Sequence, residues 1–174
     1  MLIGAYGSFW RADEIVWHPG HGSKGKFRLL GRIGTNHGNL RIADFRQQKG
    51  IYLLYGNLGS HYVGLTREQS LGKRLQDHLH NEHKDMWDRF CWFGFRGVLN
   101  GTDENGFQKL KKMANNNLTK THMVIGDIEA LLMRVMNVKN TAKMSFADAE
   151  EWNQIRKDEV EKYTSRLDAQ TPSH

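Results

Sequence analysis

The stretch that most constrains this chain is residues 50–78, GIYLLYGNLGSHYVGLTREQSLGKRLQDH. Two β-forming runs, 50–55 and 61–65, flank Gly56-Asn-Leu-Gly-Ser60, a cluster of turn formers. That pattern predicts a hairpin. Side chains alternate along a strand, so Tyr52 and Leu54 share one face. Whether Tyr62 joins them depends on register. An odd number of loop residues puts the two tyrosines on the same face, and an even number puts them on opposite faces. Ser70 then predicts an N-cap for a helix over about 71–81, and Thr66-x-x-Gln69 offers an alternative capping box upstream. Leu71, Leu75 and Leu79 form the buried stripe of that helix. Arg74 and His78, four residues apart, border the stripe on one side.

The segments on either side are less regular. Residues 1–47 are glycine-rich and predict a small basic β extension, with strand-like pieces at Glu14–Trp17, Phe27–Leu30 and Leu40–Phe45 around the turn cluster 18–25. Gly22-Ser-Lys-Gly25 lacks the spacing of a phosphate-binding loop, and no helix follows it. Trp87–Phe95 is dense in β-formers and predicts a third, central strand whose aromatics serve the core. Residues 98–117 read as a polar surface loop with a basic helical turn around Gln108–Met113. A helix over roughly 121–136 shows Val124, Ile128, Leu131, Leu132 and Val135 on one face, with Glu129 beside it. Phe146, Ala149, Trp152, Val160, Tyr163 and Leu167 predict a third helix over 146–167.

The 174 residues suit one domain of usual size plus an appendage. The formal net charge is +6, which favours polyanions such as nucleic acid as partners. Residues 1–48 hold seven basic and three acidic residues, whereas 141–174 hold five and seven. A polyanion is therefore expected to meet the front and middle of the protein, with Lys24, Lys26, Arg28 and Lys73 as contacts. Cys91 is the only cysteine, so an intrachain disulfide is excluded and an intracellular (cytoplasmic) setting is expected. No apolar run approaches the roughly 20 residues of a membrane span, and the N-terminus makes a poor signal peptide. His78, His80 and His83 do not read as a zinc site, because no cysteine clusters with them and HExxH is absent.

Gly50-Ile-Tyr52, followed ten residues on by Tyr62-Val-Gly64, resembles the signature of the GIY-YIG nuclease superfamily. Gly72-Lys-Arg74-Leu-Gln-Asp-His78 is similar to that family's arginine helix. Glu129-Ala-Leu-Leu-Met-Arg134, followed by Asn140, is similar to its glutamate helix and downstream asparagine. The resemblance covers about residues 48–142. There are departures. Leu65-Thr66 stands where many members carry a lysine, and no proline precedes Asn140, which leaves Asn137 as a rival.

The resemblance implies an α+β fold with a small three-stranded antiparallel sheet flanked by helices. Residues 1–47 would be an N-terminal extension, 48–145 the nuclease domain, and 146–174 a C-terminal helix and tail. It implies a metal-dependent endonuclease acting on DNA. Tyr52 would be the general base, Tyr62 a partner of the phosphate or attacking water, and Arg74 the phosphate clamp. His78 would be an acceptor for the Tyr52 proton, Glu129 the ligand of Mg²⁺ or Mn²⁺, and Gly64 and Asn140 accessory residues. The residue types suit that chemistry. A guanidinium can grip a phosphate in two places. A hard cation often takes only one or two carboxylates, with water and phosphate filling its remaining positions. The alternatives are a nucleic-acid-binding module without turnover, or an interaction subunit. The extension or the last helix could hold a second copy or a partner protein.

Overall fold

A computed structural model describes residues 3–19, 26–36, 38–66, 68–112, 127, 131 and 149–168. The class is α+β, as the sequence predicts, but the small three-stranded sheet is replaced by two five-stranded ones. The first sheet contains β1 (Ala5–Arg11), β4 (Gly50–Gly56), β5 (Gly59–Leu65), β6 (Arg89–Gly94) and β9 (Glu150–Glu151), in the order β5-β4-β6-β1-β9. The second contains β2 (Leu30–Ile33), β3 (Arg41–Asp44), β7 (Val98–Thr102), β8 (Gln108–Leu110) and β10 (Asn153–Gln154), in the order β10-β2-β3-β8-β7. Two helices of at least eight residues are described, α1 (Leu71–His78) and α2 (Val160–Asp168).

The extra strands have a physical reason. The side of β6 that faces away from β4 would otherwise be an open edge with unpaired backbone groups. β1 fills it in antiparallel register, with Tyr6 opposite Phe93 and Trp10 opposite Phe90. The residues expected to form an N-terminal extension thus supply one strand to the first sheet and two to the second. Glu14–Trp17 is not a strand. A short 3-10 turn at Ala12–Glu14 ends β1, and Trp17 donates its indole N–H back to the Ala12 carbonyl at 2.9 Å. Residues 98–110, read as a loop with a helical turn, instead form β7 and β8.

The third predicted helix is also corrected. Among the described residues of that segment, the helix is confined to Val160–Asp168, and 150–154 is extended. A helix would hold its backbone hydrogen bonds internally. Here Trp152 N donates to Tyr6 O in the first sheet, and Ile155 N to Leu30 O in the second, both at 2.8 Å. The spacing of Ala149 and Trp152 fits a helix, but the segment serves as a tie between sheets. Arg41 strengthens that tie. Its guanidinium holds both Glu150 carboxylate oxygens and donates through Nε to Gln108 at 2.9 Å.

The main core lies between the sheets. Trp92 and Tyr52 of the first sheet pack in one cluster with Ala43 of the second and Phe45 just after it, together with Trp10, Trp152, Leu71 and Leu75. Phe45 stands 4.5 Å from the Trp92 ring and 5.0 Å from the Trp152 ring, centroid to centroid. Gly7 makes room for this, since a Cβ there would lie 2.3 Å from the Trp92 indole nitrogen. The second cluster, with Leu53, Cys91 and Phe93, covers the opposite face of the first sheet and includes Leu131 at its margin. Asp127 is buried, and its carboxylate accepts the Ile3 N–H at 3.3 Å. The rest of the predicted 121–136 helix lies outside the described residues. Among the described residues, no helix is long and apolar enough to cross a membrane.

Trp152 is 1 % exposed and touches both sheets. Trp152→Ala should therefore destabilise the fold by about 3–5 kcal/mol, read as a lower denaturant midpoint. A loss under about 1 kcal/mol would contradict its place in the core.

Candidate functional site

The hairpin of β4 and β5 turns through Asn57-Leu58, with Gly56 paired to Gly59. Two loop residues are an even number, which by parity would send Tyr62 to the face opposite Tyr52. A β-bulge reverses this. The register shifts between Leu54/Tyr62 and Tyr55/Ser60, so His61 is the extra residue on β5. Beyond it, Leu54 faces Tyr62 and Tyr52 faces Gly64. Both tyrosines therefore share one face, and their rings lie 6.1 Å apart.

Gly64 has a direct role in this geometry. A Cβ at that position would lie 2.2 Å from Cζ and 2.3 Å from the hydroxyl oxygen of Tyr52. The Tyr52 ring thus lies flat across β5, and only glycine leaves it space. Gly50 allows another close approach, since a Cβ there would meet the Phe93 carbonyl oxygen at 2.0 Å. Thr66 closes the base of the hairpin by accepting the Gly50 N–H at 2.6 Å through its hydroxyl.

The helix α1 is docked by the backbone just before β4. Leu71 N donates to Gln48 O at 2.9 Å and Gly72 N to Arg46 O at 3.0 Å. A side chain at position 72 would collide with Arg46, 2.5 Å from its Cγ. Lys49 holds the preceding loop, its ammonium donating to the carbonyls of Glu68 and Gln69. Ser70 caps the helix as predicted, accepting from Lys73 N at 3.4 Å. The helix stops at His78, three residues short of the predicted end, where Leu79 N turns back to Gln76 O.

This docking brings Arg74 and His78 onto the tyrosines. Arg74 Nε donates to the Tyr52 hydroxyl at 3.2 Å, and its Nη2 to the Tyr62 hydroxyl at 3.4 Å. His78 Nε2 lies 2.8 Å from the Tyr52 hydroxyl. Exposure is graded through the cluster. Tyr52 is 0 % and His78 1 % exposed, whereas Tyr62 and Arg74 are half-buried. Burial pushes the Tyr52 phenol up to about 12, against the hydrogen bond and charge of Arg74, which pull it down. Burial likewise lowers the His78 imidazolium pKa, so the ring is held neutral. The hydrogen bond to Tyr52 raises the Arg74 guanidinium further.

Three neighbours were not among the residues singled out as catalytic from the sequence. The His83 ring lies tilted 4.4 Å from Tyr62 and edge-on 4.8 Å from His78, centroid to centroid. His61, the bulge residue, meets His83 nitrogen to nitrogen at 3.0 Å. Asn81 reaches His78 Nδ1 at 3.1 Å. Their only signal was proximity in sequence to Tyr62 and His78. The other candidates stand differently. Lys73 pairs with Asp77 on α1. Lys26 and Arg28 are exposed and line a cavity of about 610 Å³ with Trp10 and Ile155, and Arg28 lies over the Phe107 ring at 4.7 Å. Lys24, Glu129, Asn137 and Asn140 lie outside the described residues. Among the described residues, no group of three His, Cys, Asp or Glu side chains could hold a metal ion. The side-chain hydrogen-bond partners of Tyr52, Tyr62, Arg74 and His78 described above include no carboxylate, so these residues alone do not suit a hard cation.

Two outcomes follow from the packing. Gly64→Ala should destabilise the protein by about 1–3 kcal/mol by driving its methyl into the Tyr52 ring. In a Tyr52→Ala background the same methyl has room, so a double-mutant cycle should show coupling above about 0.5 kcal/mol; additive losses would place the strain elsewhere. The second outcome concerns pH. An NMR titration should give His78 a midpoint below the ordinary 6.5. The unfolded ring protonates at about 6.5. Stability present above that pH is therefore lost on acidification toward the lower folded-state midpoint. A midpoint at or above 6.5 would contradict the buried, neutral ring.

No protein-family model, curated protein or solved structure matches this chain.

Proposed function

We propose that this protein is a metal-dependent endonuclease of GIY-YIG type that hydrolyses phosphodiester bonds in DNA. One observation supports this above the others: a single guanidinium, Arg74, reaches the hydroxyls of two tyrosines on the same sheet face. A half-exposed arginine can present its remaining N–H groups to a phosphate, and the Tyr62 hydroxyl beside it can bind the phosphate or the attacking water. The net charge of +6 fits a polyanionic substrate. Glu129 is the residue proposed to hold Mg²⁺ or Mn²⁺. When bound, such an ion shields the phosphate charge and acidifies water. The chain's own residues orient the phosphate and move the proton.

A second reading is a nucleic-acid-binding module without turnover, and one observation favours it. Tyr52, the proposed base, is fully enclosed and its phenol is held high. A base must reach the proton it removes. Direct action by Tyr52 therefore requires Tyr62 and Arg74 to move, or a relay through Tyr62.

Incubation with supercoiled DNA in Mg²⁺ tests both readings. Nicking is expected for the wild type and should vanish in chelator and in Glu129→Ala. Arg74→Lys keeps the charge but loses the fork, and should cost about 100-fold or more in rate. Salt-sensitive binding without nicking in Mg²⁺ or Mn²⁺ would establish the binding module instead.

A further inference from the structure

The two ends of the Asn81 amide have different partners. Its Oδ1 accepts the His83 backbone N–H at 3.0 Å, and its Nδ2 lies 3.1 Å from His78 Nδ1. Turning the amide over would set Nδ2 against the His83 N–H, donor against donor. The amide therefore donates to His78 Nδ1. A neutral imidazole carries one proton, so when Nδ1 accepts, Nε2 bears it. That Nε2 is the atom 2.8 Å from the Tyr52 hydroxyl oxygen. Arg74 Nε, always a donor, points at the same oxygen. With two donors aimed at it, the Tyr52 oxygen must send its own proton to a third group, and Tyr62 is the remaining hydroxyl beside it.

We propose that Asn81 is a positioning residue: anchored by the His83 backbone amide, it holds neutral His78 with its proton on Nε2, so that the Tyr52 oxygen receives two hydrogen bonds and donates its own outward to Tyr62. The consequence for catalysis rests on the nuclease reading above. His78 is then a donor to Tyr52 and not the acceptor of its proton. Two N–H groups await the phenolate, offsetting part of the burial that disfavours it. The enclosed Tyr52 is linked to the surface through half-exposed Tyr62. Once Tyr52 has lost its proton through Tyr62 to solvent, a water giving its proton to the Tyr62 oxygen, while Tyr62 hands its own to the Tyr52 phenolate, leaves both tyrosines neutral and one hydroxide at the phosphate. The charged and titratable groups around His78 are Arg74, Asp77 and His83, with Tyr52 and Tyr62 above the ring.

Long-range proton–nitrogen NMR of the ¹⁵N-labelled protein at neutral pH reads the tautomer directly, with His78 assigned by its loss in His78→Ala. The expected spectrum shows Nε2 protonated and Nδ1 bare. Asn81→Asp places a carboxylate at Nδ1 and should move the proton there, either alone or as a second proton on the ring. A wild-type ring protonated on Nδ1 overturns the proposal, as does an unchanged Nε2–H form in Asn81→Asp. If that variant does not fold, the wild-type spectrum still decides. Nicking is measured on the same samples. An Nε2–H ring without nicking sinks the nuclease reading and upholds the hydrogen-bond order, whereas nicking with an Nδ1–H ring does the reverse.

Discussion

The arrangement of the candidate site depends on one extra residue in one strand. Side-chain direction in a β-ladder has period two, so a shift of one position sends every side chain to the other face. The two-residue turn at Asn57-Leu58 would by itself put Tyr62 on the face that carries Leu53. The bulge at His61 adds the missing residue and returns Tyr62 to the Tyr52 face. The hydrogen bonds from Arg74 to both hydroxyls and the packing of His83 against Tyr62 require that parity.

Around the bulge, glycines set how closely parts approach. Gly64 lets the Tyr52 ring lie across β5, and Gly72 lets the first turn of α1 sit on Arg46. Together they fix the separation of strand and helix at hydrogen-bond distance. The result is a polar group of four side chains bordering a core of Trp92, Leu54 and Leu75. Polar groups in such a setting need partners, because leaving one unpaired costs about 1–3 kcal/mol. Each of the four has one. The same burial that strengthens these bonds raises the Tyr52 phenol and keeps His78 neutral. Stability and proton affinity are therefore set by the same desolvation.

The hairpin, the Ser70 cap, the leucine stripe of α1 and the central strand β6 were legible because each is a local signal. Turn formers, a capping hydroxyl and a four-residue apolar repeat act within a few residues of chain. The segment 150–154 was not legible. Its apolar spacing fits a helix, and only distant strands, at Tyr6 and Leu30, supply the backbone partners that make extension preferable. Residues 98–110 are polar and lack alternation, yet they pair beside β3. For β1, position in the chain hid its place beside β6, far along the sequence, where it removes an open sheet edge.

The sequence by itself determined the cast: two tyrosines ten residues apart, an arginine and a histidine one helical turn apart, and the glycines between them. The resemblance to a family signature singled them out, and helical periodicity set Arg74 and His78 one turn apart; both signals are local. Tertiary structure decided that the tyrosines share a face, because parity turned on a bulge that no residue type announces. It also decided that Tyr52 is enclosed while Tyr62 reaches the surface, since exposure is set by what packs above. Asn81 and His83 became neighbours of His78 and Tyr62 only when the chain turned back after α1. Proximity of that kind comes from three-dimensional packing, not from spacing along the chain.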